Sequence, residues 1–414
     1  MAGTLAVCLL AMPACAKAKA NGLEPEYPAA VGNSDNARSR LLEENPVDSG
    51  FYEILNQFAV RSGALALGSG SNEAYSPLSL YLALAVASEG AGGENKEQFL
   101  QVLGVEGKEE EYLRKQCNML LNQLYGIQYP YYKCDVSNSL WLSGDIRWKN
   151  DFTKTAVSDY YASLYQVDFK DPQTGKQMGA WVKERTKGVI DPQISVSQAQ
   201  LMSILNTVYF KAEWVDKFEQ ASIEDGVFHT SDNQEVDCRF LTRTRNPYGF
   251  LMGDGFMRSS LGFKDNARIV FVLPDEGKDI AKMTADPKLL EDMLLLPDNG
   301  SAKVNFKIPK FSFGSDLELA QVLQQMGLTE AFTENADFSF MTETPVWISN
   351  VRQQSHMSLD ENGVEAASFT KIDYAGAAMP LPEEVDMVLD RPFLYGIYSQ
   401  NVLVFVGICQ NPAE

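Results

Sequence analysis

The chain has 414 residues, of which 45% are hydrophobic and 22% charged, and this composition excludes a disordered protein because it supplies the apolar sequence for a large core. Its 35 Lys and Arg residues are outnumbered by 55 Asp and Glu residues, which gives a net charge of -20. Such a surface repels phosphate backbones and anionic membranes, so the charge argues against nucleic-acid binding.

The N-terminal residues have the pattern of an export signal. Residues 4–14 form an apolar stretch too short to span a bilayer, and small residues surround Cys15 directly after it. We expect residues 1–15 to be a signal peptide, and residues 14–16 would suit an ordinary signal peptidase. Residues 12–15 also resemble a bacterial lipobox, which would make Cys15 a lipidation site. No Lys or Arg precedes the apolar run, so a fortuitous apolar N-terminus is the alternative.

Residues 16–46 lack apolar periodicity and are predicted to be a flexible tether, followed by one folded domain over residues 47–414. Within that domain, apolar residues at helical spacing predict helices over residues 51–67, 78–88, 109–125, 151–165 and 177–187. Short apolar or alternating runs predict strands over residues 137–142, 205–211, 268–273, 304–308, 346–351 and 402–409. Helices dominate the first half and strands the second, so we predict an α+β fold rather than a doubly wound one.

The sequence offers little that could serve catalysis. It contains two histidines, His229 and His356, and neither lies in a supporting motif; the G-x-S-x-G, H-E-x-x-H and P-loop patterns are absent from the sequence. We interpret His356 as a structural histidine, and the Glu383-Glu384 pair as solvated charge. We therefore predict that the protein is not an enzyme, with a hydrolase that uses one of the two histidines as the alternative.

Cysteine spacing argues against a metal site. Besides Cys8 and Cys15, the chain has four cysteines without C-x-x-C spacing, namely Cys117, Cys134, Cys238 and Cys409. A Cys117–Cys134 disulfide is open to an exported protein, but isolated buried thiols are the favoured interpretation. We predict no metal and no cofactor.

A series of short segments occurs in the order and at the spacing of one known family. The most informative is NTVYFKAEW at 206–214, where an Asn opens a strand and a Trp ends it. The others are YSPLS at 75–79, NSLW at 138–141, LPD at 273–275, IPKF at 308–311, LQQMGLTEAF at 323–332, ADFS at 336–339 and RPFL at 391–394. Together they resemble the serpins, the serine protease inhibitor family, in the form of a bacterial-type exported member.

The resemblance implies a serpin fold with three β-sheets, about nine helices and an exposed reactive loop, here near residues 361–385. A protease cuts this loop and forms an acyl-enzyme, after which the loop inserts into a β-sheet as an extra strand and traps the protease. The residues implied to control the opening of that sheet are Ser76, Pro77, Ser79, Asn206, Trp214 and Gln353. Gln353 stands where the family often has His, and its amide, which can donate and accept, is expected to bond to Asn206.

The start of the loop resembles the hinge of inhibitory family members. The hinge residues are Glu361, Gly363, Val364, Glu365, Ala366, Ala367 and Ser368. Gly allows the backbone to swing, and small side chains let a strand enter a sheet without clashes. An inserted strand would turn Val364, Ala366, Ser368, Thr370, Ile372 and Tyr374 inward, and Glu365, Ala367, Phe369, Lys371 and Asp373 outward. Phe369 is bulkier than the family prefers. A surface strand that is always paired would share this alternation and is the alternative.

The family's usual distance from hinge to cut bond reaches Ala377-Ala378, with Gly376 or Met379 as alternatives because the loop is a few residues long. Small residues there indicate elastase-like serine proteases as targets, whereas Met379 would suit chymotrypsin-like or subtilisin-like ones. Papain-like cysteine proteases also form the acyl intermediate that the trap needs. Trypsin-like targets are disfavoured unless Lys371 is the bait.

The expected setting is a secreted or cell-surface protein that acts as a monomer on proteases. Residues 107–117 carry mixed charge rather than a basic helix face, so no polyanion cofactor is predicted. Two alternatives remain at this point: a non-inhibitory serpin that acts as a carrier or scaffold, and a surface lipoprotein that binds a ligand on a serpin-like body.

Overall fold

Two β-sheets and nine α-helices between residues 49 and 325 are present in the computed structural model, which describes residues 21–25, 40, 43–126, 131–364 and 384–413. The helices are α1 (Ser49–Ala66), α2 (Pro77–Glu89), α3 (Gly93–Val102), α4 (Tyr112–Gly126), α5 (Asn150–Ser158), α6 (Gln173–Arg185), α7 (Ile280–Thr284), α8 (Pro287–Leu295) and α9 (Ala320–Gln325). None of the helices in these ranges combines the length and apolar character that crossing a bilayer requires.

Sheet 1 has seven strands, and its order places a two-residue strand in the interior. Its strands are β1 (Asn21–Leu23), β3 (Tyr132–Ser143), β4 (Ala162–Val167), β5 (Met202–Glu213), β11 (Phe311–Glu318), β12 (Arg352–Leu359) and β13 (Gly363–Val364). They follow the order β1-β4-β3-β5-β13-β12-β11. The short strand β13 therefore separates β5 from β12.

Sheet 2 has nine strands. They are β2 (Glu73–Tyr75), β6 (Ile223–His229), β7 (Glu235–Met252), β8 (Phe256–Gly262), β9 (Ala267–Pro274), β10 (Gly300–Pro309), β14 (Glu384–Val388), β15 (Phe393–Ser399) and β16 (Val402–Cys409). Their order is β14-β10-β7-β8-β9-β15-β16-β2, and β6 pairs with β7 beside this path.

The α+β class is confirmed, and β7 explains why three expected sheets are joined into two. This strand is 18 residues long. Its first part pairs with β6 and its end pairs with β8 on the same edge, while β10 pairs with residues 240–250 on the opposite edge and so overlaps both. One continuous strand therefore links two expected sheets.

Helix α2 forms the centre of the core because it is apolar on every side. Pro77 at its first turn and the N-cap Ser76 fix its start, and every residue from Pro77 to Ser88 is buried. The helix packs on β5 of sheet 1 and β16 of sheet 2. Its N-terminus is consequently held beside the middle of sheet 1.

Several local predictions were wrong, each for a tertiary reason. The helix predicted over 151–165 ends at Ser158, and the chain turns at Tyr161, with φ of 52°, to enter β4. The strand predicted over 346–351 is an unpaired extended segment that precedes β12, although Ile348 N donates to Ala331 O at 2.8 Å. Its alternating burial comes from packing on the turn at Ala331 rather than from a sheet.

The predicted tether is wrong for residues 21–25, because β1 adds an antiparallel strand to the edge of β4. Glu24 then accepts hydrogen bonds from the hydroxyls of Ser163, at 2.8 Å, and Tyr165, and pairs with Arg185 of α6 at 2.9 Å. An edge strand with unpaired backbone groups readily accepts such a short segment. The predicted signal peptide and Cys15 lie outside the described residues.

The four cysteines of the described domain are free thiols, as the sequence favoured. Burial raises the pKa of Cys117 and Cys134, and it raises the pKa of Cys238 to about 11. These thiols therefore stay protonated at neutral pH; Cys117 and Cys134 act as small apolar core residues, and Cys238 is half-buried against the core.

Candidate functional site

The hinge forms a tight hairpin between β12 and β13. Leu359 pairs with Val364, and Asp360 N donates to Gly363 O at 2.9 Å, which closes the turn. The Asp360 carboxylate accepts from the backbone N–H groups of Asn362, at 2.8 Å, and Gly363, at 3.2 Å. An Asp at the start of a turn stabilises it in this way, so the local sequence itself favours the hairpin.

Strand β13 is seated in the interior of sheet 1. Gly363 pairs with Glu213 and Val364 with Ala212 of β5, and Val364 is only 2% exposed. A Cβ on Gly363 would lie 2.1 Å from Ala212 O. Glycine is therefore required here because two backbones approach closely; the expectation that it chiefly provides freedom to swing missed this contact.

Beyond Val364, the described residues of β5 and β12 lie near each other without pairing. In this part of the chain only β13 joins the two strands in the sheet, and we call the unpaired boundary between them the gap. A cavity of about 30 Å³ lies between them, lined by residues 208–210 of β5 and 356–358 of β12, with Phe405 on one side and Thr186, Val189 and Ile190 on the other. The gap thus runs through the sheet from the core to the segment that follows α6.

Trp214 holds the hinge turn from the end of β5. It is fully buried and stacks on Phe263 with ring centroids 4.2 Å apart. Its indole Nε1–H donates to Asp360 O at 2.9 Å, and its backbone N–H donates to Asn362 O at 3.1 Å. The tryptophan predicted from the sequence therefore fixes the position of the turn by two hydrogen bonds.

An ion pair between Glu361 and Lys310 ties the hinge to the junction of β10 and β11. Lys310 Nζ contacts Glu361 Oε2, and this hydrogen bond is the main cause of a lowered pKa at Glu361. Phe218 N also donates to Glu361 O at 3.1 Å. Glu361 is consequently held by both its side chain and its backbone.

Ser76, Pro77, Ser79, Asn206 and Gln353, here called the shutter, are the residues other than Trp214 that were expected to control the opening of the sheet, and their hydrogen bonds differ from the expectation. Gln353 Oε1 accepts from Ser76 N at 2.6 Å, and Gln353 Nε2 donates to Ser76 O at 3.0 Å. Asn206 Nδ2 instead donates to Asn138 Oδ1 on the neighbouring strand. The expected bond between Gln353 and Asn206 is therefore wrong, because each amide has its partner on its own side of the gap.

Ser76 links the shutter to sheet 2. Its hydroxyl donates to Val404 O at 2.7 Å and also accepts from Ser79 N at the first turn of α2. Pro77 occupies that first turn. These residues therefore position Gln353 from the N-terminus of α2.

The two histidines do not come together, since His229 is on β6 of sheet 2 and His356 on β12 of sheet 1. The described residues hold no cluster of His, Cys, Asp and Glu suited to a metal ion. Glu384, predicted to be solvated, pairs with Lys303 at 2.7 Å, and this contact lowers its pKa.

Part of the predicted site lies outside the described residues. This applies to Glu365, Ala366, Ala367, Ser368, Gly376, Ala377, Ala378 and Met379. Sequence reasoning missed Asp360, and it identified Asn138 and Lys310 only as members of family segments. The Asp followed by Glu-Asn-Gly was a turn signal that could have identified Asp360.

Comparison with known proteins agrees with this geometry. The family model described as Serpin (serine protease inhibitor) matches residues 53–412. Serpin-ZXA from Oryza sativa subsp. japonica is 29% identical over 368 residues, which cover 83% of this chain and 91% of that protein. The native state of the thermophilic serpin tengpin matches with a TM-score of 0.79 at 24% identity, covering 94% of this chain and 97% of that one. Serpin48 from Tenebrio molitor matches with a TM-score of 0.77 at 24% identity, covering 88% and 98%.

Proposed function

Because this chain belongs to the serpin family, whose members are in general protease inhibitors, we propose that it is a suicide substrate that traps a protease by inserting its cleaved loop into sheet 1. The observation that carries the proposal is the seating of β13. Gly363 and Val364 already occupy the first positions of an interior strand, and the space beyond them lies between β5 and β12. Insertion would extend a strand that has already begun.

The register of β13 specifies where later residues would go. Antiparallel continuation from Val364, which faces Ala212 and Leu359, would bring Ala366 beside Phe210 and Met357, and Thr370 between Asn206 and Gln353. The even-numbered residues would then share the buried side of Val364. This matches the small or apolar inward set predicted from the sequence.

The same register gives the shutter a role. If Thr370 enters between Asn206 and Gln353, these two amides end about 10 Å apart, two strand spacings. In the described structure each is bonded on its own side of the gap, to Asn138 and to Ser76. Insertion at this level therefore breaks neither pair.

The proposed targets follow from the loop sequence. Small residues at Ala377-Ala378 fit the shallow pocket of elastase-like serine proteases, and a papain-like cysteine protease offers the same kind of acyl intermediate. Gly376 and Met379 are the alternative cut sites. Cleavage after Ala377 would leave a tether long enough to extend β13 well beyond Thr370. The proposed place of action is outside the cell or on its surface, with Cys15 as a candidate lipid anchor.

The test is to mix the protein with pancreatic elastase, subtilisin or papain and analyse the products in denaturing gels. We expect a complex that survives boiling in detergent, because the trapped enzyme stays bonded as an ester or thioester. A protease whose nucleophile has been blocked is the matched control and should give no complex. The nicked protein should melt at a higher temperature than the intact protein. Cleavage without complex and without this thermal gain would refute trapping and leave a non-inhibitory serpin.

A further inference from the structure

The hinge turn contains an Asn-Gly pair whose side-chain amide is weakly held. Within the described residues, Asn362 Nδ2 makes one long contact, 3.4 Å to Asp360 Oδ2, and the residue is exposed. Gly363 has no Cβ to hinder the approach of its amide nitrogen to Asn362 Cγ. That N–H donates to Asp360 Oδ1 at 3.2 Å, and this one hydrogen bond has to break before the ring closes. Asparagine is among the thermally labile residues, and a following glycine favours ring closure between these two atoms.

A second Asn-Gly pair provides an internal comparison. Asn299, followed by Gly300, is also exposed and also follows an acidic residue. Its Nδ2 donates to Met252 O at 2.9 Å, and its Oδ1 accepts from Met252 N at 3.0 Å. The two pairs share covalent chemistry and exposure and differ in how firmly the amide is held.

We propose that Asn362 is a site of spontaneous deamidation and that the product progressively weakens the hinge turn. The amide nitrogen of Gly363 loses its proton and attacks Asn362 Cγ, so that a new C–N bond closes a five-membered succinimide. The Cγ–Nδ2 bond breaks, and Nδ2 leaves as ammonia with one added proton. Water then opens the ring at either carbonyl and gives Asp or isoAsp, without any oxidation or reduction.

The product opposes the seating of the hinge. A carboxylate would replace the amide that faces Asp360 Oδ2 at 3.4 Å, and two like charges at that distance repel. IsoAsp would also add one carbon to the main chain inside the turn that the Asp360 N to Gly363 O bond closes. The effect on inhibition rests on the proposed function, whereas the modification itself does not.

The modification is tested by incubating the purified protein at mildly alkaline pH and following it by peptide mapping and mass spectrometry. The peptide with Asn362 should gain one mass unit about fivefold faster than the peptide with Asn299, because ring closure at Asn299 breaks two hydrogen bonds of the amide whereas ring closure at Asn362 breaks the one from Gly363 N to Asp360 Oδ1. Asn362→Gln should suppress the gain at this position, because ring closure from the longer side chain is slower. Equal rates at the two asparagines, or a faster rate at Asn299, would overturn the proposal.

The consequence for the hinge is tested with Asn362→Asp, which introduces the charge directly. This variant should melt at a lower temperature than both the wild type and Asn362→Gln. Identical melting temperatures of all three proteins would overturn the proposal that a negative charge at residue 362 weakens the hinge. If fresh protein traps no protease while Asn362 still deamidates first, the proposed function fails and the modification site stands.

Discussion

Replacing Val364 by Arg would test whether the pairing of β13 between β5 and β12 is needed for trapping a protease. Val364 is 2% exposed and belongs to the hydrophobic core, between Ala212 and Leu359. Burying a valine of this kind is worth about 1.5–3 kcal/mol, and an unpaired buried guanidinium would cost several kcal/mol more. The arginine therefore has to leave the sheet and take β13 with it.

The expected effect on inhibition follows from a competition between insertion and deacylation. A loss of about 3 kcal/mol reduces the population in which β13 is paired with β5 and β12 by about a hundredfold. The acyl-enzyme should therefore hydrolyse before the loop inserts. The assay is the ratio of detergent-stable complex to cleaved inhibitor in denaturing gels, with elastase and subtilisin in parallel. We expect Val364→Arg to be cleaved like a substrate with almost no complex.

Val227→Arg is the matched control, because Val227 is a strand residue of β6 that is 38% exposed and lies in sheet 2. This control should retain the complex yield of the wild type. Unchanged trapping by Val364→Arg would refute the reasoning, since a charge would then have entered sheet 1 without effect. Loss of trapping by both variants would point to a general effect of added charge.

Three further predictions concern the contacts around the hinge. Gly363→Ala would place a Cβ 2.1 Å from a carbonyl oxygen of β5, so the melting temperature of the intact protein should fall; an unchanged value would show that the close approach is not maintained in solution. Lys310 lowers the pKa of Glu361, so their pair should stabilise the fold fully above about pH 4.5, the ordinary value for Glu, and this contribution should disappear as acidification passes the lowered pKa. Urea unfolding should show this loss in the wild type but not in Glu361→Gln, and equal pH profiles would contradict it. Gln353→Ala removes both partners of the Ser76 backbone and should destabilise the protein by about 2–4 kcal/mol, which urea unfolding measures; a change below about 0.5 kcal/mol would mean that water replaces the amide.

The sequence predicted the elements whose pattern is local. The run over 78–88 is apolar on every side, and it forms the buried helix α2. Strand β12 was missed although its burial alternates strictly, because two of its four buried residues are Gln353 and Ser355. Polar side chains on the inner face hide the alternation that predicts a strand. The burial of Gln353 is explained by α2, because the Ser76 backbone at the N-terminus of that helix satisfies its amide.

Single residues of the site could also be identified from the sequence, whereas the contacts between them could not. Trp214 and Glu361, both named from the sequence, contact the hinge turn or belong to it, and Val364 is buried. The partners were not predictable, because a hydrogen bond such as Gln353 to Ser76 depends on how far β5 and β12 stand apart. Strand β1 was missed for a similar reason: three residues pair only because an edge is available.

If the loop inserts as proposed, the arrangement of these contacts indicates where the barrier to insertion would lie. The bonds of Trp214 and the Glu361–Lys310 pair hold the turn that precedes β13, and the inserted strand would keep them all. The shutter amides are likewise bonded away from the gap. What must change is the separation of β5 from β12, together with the segment that follows α6 and covers the cavity.

The segment that follows α6 is held by close packing of its backbone against that helix. Carbonyl oxygens of Pro192 and Ile194 lie 2.6 and 2.0 Å from where a Cβ would stand on Gly179 and Gly175 of α6, so only glycine admits the segment so closely. Thr186, Val189 and Ile190, which lie in the same segment, line the cavity at the gap. Opening the sheet therefore requires the cover to shift on α6, while the hinge at Val364 can remain seated and serve as the first paired residue of the growing strand.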